Sequence, residues 1–132
     1  MTAPFTPVVL ESPYSGNVAQ NIRYARLCIR DCILNYAEAP YLSHLLYTQA
    51  LDDTVAEERW AGIQAGFSWS TVTWEGTYPK RVFYLDLGWS RGMELGLESA
   101  QKLGQPAEYR LLPPKLFELL DVENFEPPEW RV

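Results

Sequence analysis

Residues able to hold an anionic ligand lie in two short loops, each between an apolar run and a helical pattern. The first loop follows the run at residues 8–10 and contains Tyr14, Ser15, Gly16 and Asn17. The second follows RVFYLDL and contains Asp86, Ser90, Arg91 and Gly92. Backbone N–H groups at a helix start and an Arg guanidinium bind phosphates and carboxylates. Both loops fall at the carboxyl edge of a parallel sheet, where open α/β folds bind ligands.

Three further residues have both a structural and a functional interpretation. His44 follows the second predicted strand, where it either contacts the ligand or is a partly buried, hydrogen-bonded residue. Asp52 and Asp53 precede a predicted helix and either cap it or bind a sugar hydroxyl. One His and two helical Cys are too few for a metal site, so we expect neither a metal nor a cofactor.

The elements that position these residues alternate between strand and helix. We predict strands at 8–10, 39–46 (ending in a loop), 81–87 and 108–112. Helices are predicted at 18–36 with Asn17 as cap, at 54–67 with a Thr54–Glu57 capping box, and at 91–103 between Ser90 and Gly104. Residues 69–80 fit a hairpin or a surface excursion. This order predicts an α/β domain over residues 1–112, a small doubly wound, Rossmann-like parallel sheet with helices on both faces.

Residues 113–132 form a C-terminal extension with apolar residues between two proline pairs. These residues are Leu116, Phe117, Leu119, Leu120, Phe125 and Trp130. They either pack back on the same domain or cover a neighbouring subunit. We favour the second arrangement and expect a homo-oligomer.

Composition narrows the classes of partner. The 132 residues are 47% hydrophobic, enough for one domain with its own core. A net charge of -6 disfavours nucleic acid as a partner. No apolar run approaches the ~20 residues of a membrane span, and the first residues are unlike a signal peptide. Cys28 and Cys32, four residues apart on one helix, indicate buried thiols rather than a disulfide, so we expect a cytoplasmic protein.

The segments SPYSGN, SHLLYT and YLDLGWSRGMELGLESAQKLGQP resemble the nucleoside 2-deoxyribosyltransferase superfamily. The resemblance covers residues 7–112 and is nearest to uncharacterised small members encoded by bacteriophages. It implies a first loop, here Tyr14, Ser15 and Gly16, that cradles a sugar or phosphate, and a His-containing segment at His44. It also implies a late motif, here with Ser90 and Gly92, whose Glu attacks the anomeric carbon of the sugar.

The sequence departs from that motif at the position of the nucleophile. Gly96 stands there, and Glu94 and Glu98 lie two residues to either side. Two residues on a helix correspond to a rotation of about 200°, so neither carboxylate points where the superfamily's does. The candidate catalytic residues are therefore Glu94, Glu98 and Asp86, the last at the end of a strand.

Two functions of different classes follow. The leading one is binding of a nucleotide-derived small molecule, whose base stacks on Tyr14, Tyr47, Trp60 or Trp89. Fold analogy suggests that in a bacteriophage such a protein sequesters a host signalling nucleotide, as a counter-defence protein. The alternative is an enzyme that cleaves or exchanges the N-glycosidic bond of a nucleoside or nucleotide. A protein–protein adaptor that uses exposed aromatic residues is a third option.

Overall fold

A computed structural model describes residues 5–73 and 75–121, which contain a four-stranded sheet. The strands are β1 (Thr6–Glu11), β2 (Glu38–Tyr41), β3 (Lys80–Tyr84) and β4 (Ala107–Arg110). Their order is β2-β1-β3-β4, and every neighbouring pair is parallel. The predicted doubly wound parallel sheet is confirmed.

The helices lie on both faces of this sheet. They are α1 (Val18–Tyr36), α2 (Ala56–Ser70), α3 (Arg91–Leu103) and the short α4 (Pro114–Phe117), with single 3₁₀ turns at Ser43–Leu45, Tyr47–Gln49 and Glu118–Asp121. The chain runs from β1 outward to β2 and then crosses back to β3 on the other side of β1. Right-handed crossovers consequently place α1 on one face and α2 and α3 on the other.

Helices α1 and α3 have the predicted bounds because their end signals act as expected. The Asn17 side chain accepts a hydrogen bond from the Gln20 N–H, and the Ser90 hydroxyl accepts one from the Met93 N–H. Helix α3 ends at Gly104, whose φ of 68° lies in the left-handed region that glycine tolerates. Local capping chemistry therefore fixes both ends of α3 and the start of α1, whereas α1 ends before Ala37, which has a φ of 50° without being a glycine.

The predicted capping box of α2 is wrong. Helix α2 has Val55 as its N-cap, with no side-chain cap bond. Both the amide and the hydroxyl of Thr54 instead donate to Oδ1 of Asp52, forming a local turn that competes with helix capping. The helix also continues to Ser70, so the predicted hairpin or excursion begins only after that residue.

The apolar core lies on the α1 face. Four side chains of the two central strands pack against α1, namely Val8, Leu10, Val82 and Tyr84. Helix α1 contributes the buried, free thiols of Cys28 and Cys32 to the same core. The first part of the extension packs here too, since Leu120 is buried and Leu116 and Leu119 contact this cluster. Residues 113–120 thus cover the chain's own core. Phe125 and Trp130 lie outside the described residues, and the homo-oligomer stays a prediction.

A charged network is buried at the same face. The Arg110 guanidinium donates two hydrogen bonds of 2.7 Å to the Glu38 carboxylate, and both side chains are at most 5% exposed. Lys80 lies 2.9 Å from the same carboxylate. These cations hold the pKa of Glu38 below its usual value, against the effect of burial. Because buried charges are stable only when paired, this network depends on all its members.

Replacing Glu38 with Gln should destabilise the protein by about 3–5 kcal/mol, because it leaves the buried Arg110 charge uncompensated. Glu108→Gln is the matched control. Glu108 contacts the same two cations, but its side chain is 38% exposed, so the loss should be about 1 kcal/mol or less. Urea denaturation measures both values. Equal losses would contradict the importance of the buried pair.

Candidate functional site

A cavity of about 240 Å³ opens beside the carboxyl ends of the strands, on the face that carries α2 and α3. Its walls are the end of β1 and the loop after it, the segment after β2, helix α2 and the first turn of α3. This location lies at the point where the strand order reverses, between β1 and β3. Ligands of open α/β sheets bind at such a point.

Small residues on α2 form part of the cavity wall and let the helix pack closely on the segment after β2. Gly62, Gly66 and Ser70 line the wall, each one turn of helix from the next. A Cβ on Gly66 would lie 3.0 Å from Cβ of Ser43, so the helix approaches the segment after β2 closely. The glycines therefore set the close packing of α2 on this segment, while the larger side chains of Ile63 and Phe67 also line the cavity.

The structure brings together most of the predicted binding residues. The cavity-lining ones are Tyr14, Ser15, His44, Ser90, Arg91 and Gly92. Asp53 also lines the cavity, whereas Asp52 is engaged by Thr54. Both predicted loops thus reach one site, as expected from the shared carboxyl edge of their strands.

His44 is the centre of a small polar and aromatic group. Its Nε2 lies 3.2 Å from the Ser12 hydroxyl, and its ring centroid lies 5.4 Å from that of Tyr14. Burial lowers the pKa of His44 from 6.5 to about 4. The imidazole is therefore neutral at physiological pH, with one nitrogen able to accept a hydrogen bond.

Gly16, Asn17 and Asp86 are not among the residues that line the cavity. Asn17 caps α1, and Gly16 turns the chain with a φ of 98°. Asp86 accepts hydrogen bonds from the Tyr24 hydroxyl at 2.5 Å and from the Leu112 N–H at 3.0 Å. These contacts join the end of β3 to α1 and to the segment after β4, so Asp86 has a structural role here.

Glu94 and Glu98 also lie outside the cavity wall. Both are exposed on α3, and Glu94 pairs with Arg91 at 3.2 Å. Gly96, between them, is buried. The helical rotation that separates these positions explains the difference. None of the three predicted catalytic carboxylates lines the cavity.

Two charged residues that were not predicted as site residues also line the cavity, Glu11 and Arg81. The Arg81 Nη1 donates a 2.9 Å hydrogen bond to Oε1 of Glu11, and its Nε donates a 3.0 Å bond to Gln105. The alternation of side chains between the two faces of a strand is the signal that could have identified these two residues. Residues 9 and 11 of β1 face away from α1, as do residues 81 and 83 of β3, and the parallel register brings Glu11 beside Phe83.

Burial raises the pKa of Glu11 from 4.5 to about 7, although the Arg81 guanidinium opposes this shift. The carboxyl group therefore changes its protonation state near neutral pH. Groups with such pKa values are concentrated in functional sites, although structural ion pairs also produce them. The cavity wall thus includes a carboxyl group that titrates near neutral pH and a neutral imidazole.

The remaining electrostatics favour an anion at the start of α3. Arg91 and the first N–H groups of α3 border the cavity there.

No group of three or more His, Cys, Asp or Glu side chains able to hold a metal ion occurs in the described part of the chain. Over those same residues, no helix is both long and apolar enough to cross a membrane.

Replacing His44 with Gln should make the free energy of unfolding less sensitive to acidic pH. The unfolded His takes up a proton below about 6.5 and the folded one only below about 4, so folding stability falls as the pH drops through that interval. The contribution amounts to at most about 3 kcal/mol. Denaturation at pH 7 and pH 4.5 measures the difference. If His44→Gln loses as much stability as the parent over this range, the buried neutral imidazole is excluded.

Comparison with known proteins identifies a family. Residues 6–110 match the model of a family described as a domain of unknown function, DUF7768. The match covers both loops, the cavity and all four strands, so the chain belongs to this family. Searches of curated proteins and of solved structures give no significant match.

Proposed function

We propose that this member of the DUF7768 family binds a nucleotide-derived small molecule in the cavity. The observation that carries the proposal is the composition of the cavity wall at the switch between β1 and β3. Aromatic rings, hydroxyl groups and a helix N-terminus with an arginine border one space of about 240 Å³. Sites for small molecules combine apolar walls with a few convergent polar groups in this way.

The aromatic part of the wall suits a planar base. Tyr14, Tyr41, His44 and Tyr47 all border the cavity. Aromatic rings stack on bases with little dependence on the identity of the base. Trp60 and Trp89, the other predicted stacking residues, are not in the wall. Trp60 is exposed on α2, and Trp89 packs against Phe83 and Tyr109.

The first turn of α3 supports binding of the phosphate. Ser90, Arg91 and Gly92 border the cavity where the helix begins. Arg91 pairs with Glu94 at 3.2 Å, but both side chains are more than half exposed, so solvent screens the pair and a phosphate can compete for the guanidinium. The cavity volume of about 240 Å³ lies just below the roughly 300–1,000 Å³ typical of ligand sites. This size suits a mononucleotide better than a dinucleotide.

Thermal denaturation with AMP, GMP, CMP and UMP tests the proposal. At least one should raise Tm with increasing concentration, because a ligand of the folded state stabilises it. Arg91→Gln should weaken binding about tenfold by removing a charged contact to phosphate. Lys102→Gln, the same change of charge at the other end of α3, should not alter it. Absence of any shift with all four nucleotides would refute the proposal.

Cleavage of an N-glycosidic bond is a second candidate. One observation favours it: the carboxyl group of Glu11 lines the cavity, although the three predicted catalytic carboxylates do not. Such a reaction needs a carboxyl group near the anomeric carbon.

Chromatography of nucleosides and nucleotides incubated with purified protein distinguishes binding from cleavage. We expect intact substrates, since Arg81 neutralises the Glu11 carboxylate and weakens it as a nucleophile. Release of free base that disappears in Glu11→Gln would favour the enzyme. Stable binding without release would make sequestration of the ligand the simpler function.

A further inference from the structure

Glu11 and Arg81 form a rigid pair in the wall of the cavity. The Arg81 side chain is 1% exposed and that of Glu11 is 19% exposed. Gln105 accepts a hydrogen bond from Nε of Arg81 and donates a 2.6 Å bond to the Pro79 carbonyl. The guanidinium is therefore fixed from both sides, and its Nη1 fixes Oε1 of Glu11 at 2.9 Å.

Helix α3 crosses this carboxyl group at Gly96. A Cβ at position 96 would lie 2.8 Å from Oε1 and 2.9 Å from Cδ of Glu11, and 3.2 Å from Nη1 of Arg81. Any larger residue would displace the carboxyl group. The Glu11 carboxyl group thus occupies the space that a side chain at position 96 of α3 would need.

The pair leaves hydrogen-bonding capacity unused. In residues 5–73 and 75–121, Oε2 of Glu11 has no hydrogen-bond partner, and neither has the buried Nη2 of Arg81. Nη2 is enclosed by the protein, so the partly exposed Glu11 carboxyl group is the member of the pair that a ligand can reach. Because Arg81 already balances the charge of that carboxylate, a neutral hydroxyl donor suits it better than an ammonium or a phosphate does.

We propose that Glu11 binds the ribose hydroxyl groups of the ligand through Oε2, with Arg81 and Gly96 holding its carboxyl group in position. The inference rests on the proposed nucleotide binding and assigns the sugar to one wall of the cavity. Carboxylates at the carboxyl ends of strands bind ribose in other open α/β folds. Burial, which raises the pKa of Glu11 to about 7, allows the group to donate when protonated and to accept when ionised.

The test compares a ribonucleotide with its 2′,3′-dideoxy form, which lacks both hydroxyl groups. Isothermal titration at pH 8 uses whichever of AMP, GMP, CMP and UMP stabilises the protein most. The parent should bind the ribonucleotide about tenfold or more tightly than the dideoxy form, as expected for a hydrogen bond to a charged group. In Glu11→Gln this preference should fall to about threefold or less.

Two variants separate this role from general damage. Glu98→Gln makes the same change on the exposed side of α3 and should keep the full preference. Gly96→Ala keeps the charge of Glu11 but pushes its carboxyl group aside, so it should also lose the preference. This variant decides the question if Glu11→Gln does not fold.

The outcomes are distinct for the two proposals. If no ribonucleotide binds the parent protein, the proposed function fails and the assignment of Glu11 fails with it. If the parent binds but shows no preference, or Glu11→Gln keeps the preference, the assignment fails while nucleotide binding stands. Loss of preference in Glu11→Gln and Gly96→Ala, but not in Glu98→Gln, supports it.

Discussion

The ion pair between Glu11 and Arg81 is the contact on which the site depends. It joins the two central strands at the point where the strand order reverses, on the face opposite the apolar core. A buried guanidinium is costly without a partner, so the position of Glu11 follows from the burial of Arg81. Gly96 follows from the same pair, since a side chain at this position of α3 would displace the Glu11 carboxyl group.

The two faces of the sheet are built differently. On the α1 face, large apolar side chains fill the space, and the buried ions Glu38 and Arg110 satisfy each other through two hydrogen bonds. On the other face, a cavity is lined by part of α2, with Gly62, Gly66 and Ser70 beside the larger Ile63 and Phe67. The apolar core therefore lies on the first face, and the cavity of the proposed site lies on the second.

The predictable parts of this structure were those governed by local signals. Asn17, Ser90 and Gly104 act within one turn of a helix, so the bounds of α1 and α3 followed from sequence. The alternation of strands and helices likewise predicted the sheet and brought both loops to one edge. The capping box of α2 failed because Thr54 found an equally local partner in Asp52, and sequence alone does not rank two such partners.

The site itself was only partly predictable, because its ionised groups depend on contacts distant in sequence. Glu11 and Arg81 are 70 residues apart and meet only through the parallel register of β1 and β3. Each borders an apolar strand run, where a charged residue is easily interpreted as the start or end of the strand. The loop residues of the cavity wall, Tyr14, Ser15 and Ser90 to Gly92, were easier to predict, because they belong to loops with recognisable turn residues.

Asp86 and Glu11 show why position along a strand does not by itself assign a role. Both carboxyl groups lie at the carboxyl ends of the central strands, Asp86 just after β3 and Glu11 at the end of β1. Asp86 faces α1, where the Tyr24 hydroxyl and the Leu112 N–H occupy its oxygens. Glu11 faces the cavity, where Arg81 engages Oε1 and the described residues leave Oε2 unpaired. The face of the sheet, set by the two-residue period of the strands, therefore separates a carboxylate that stabilises the fold from one available to a ligand.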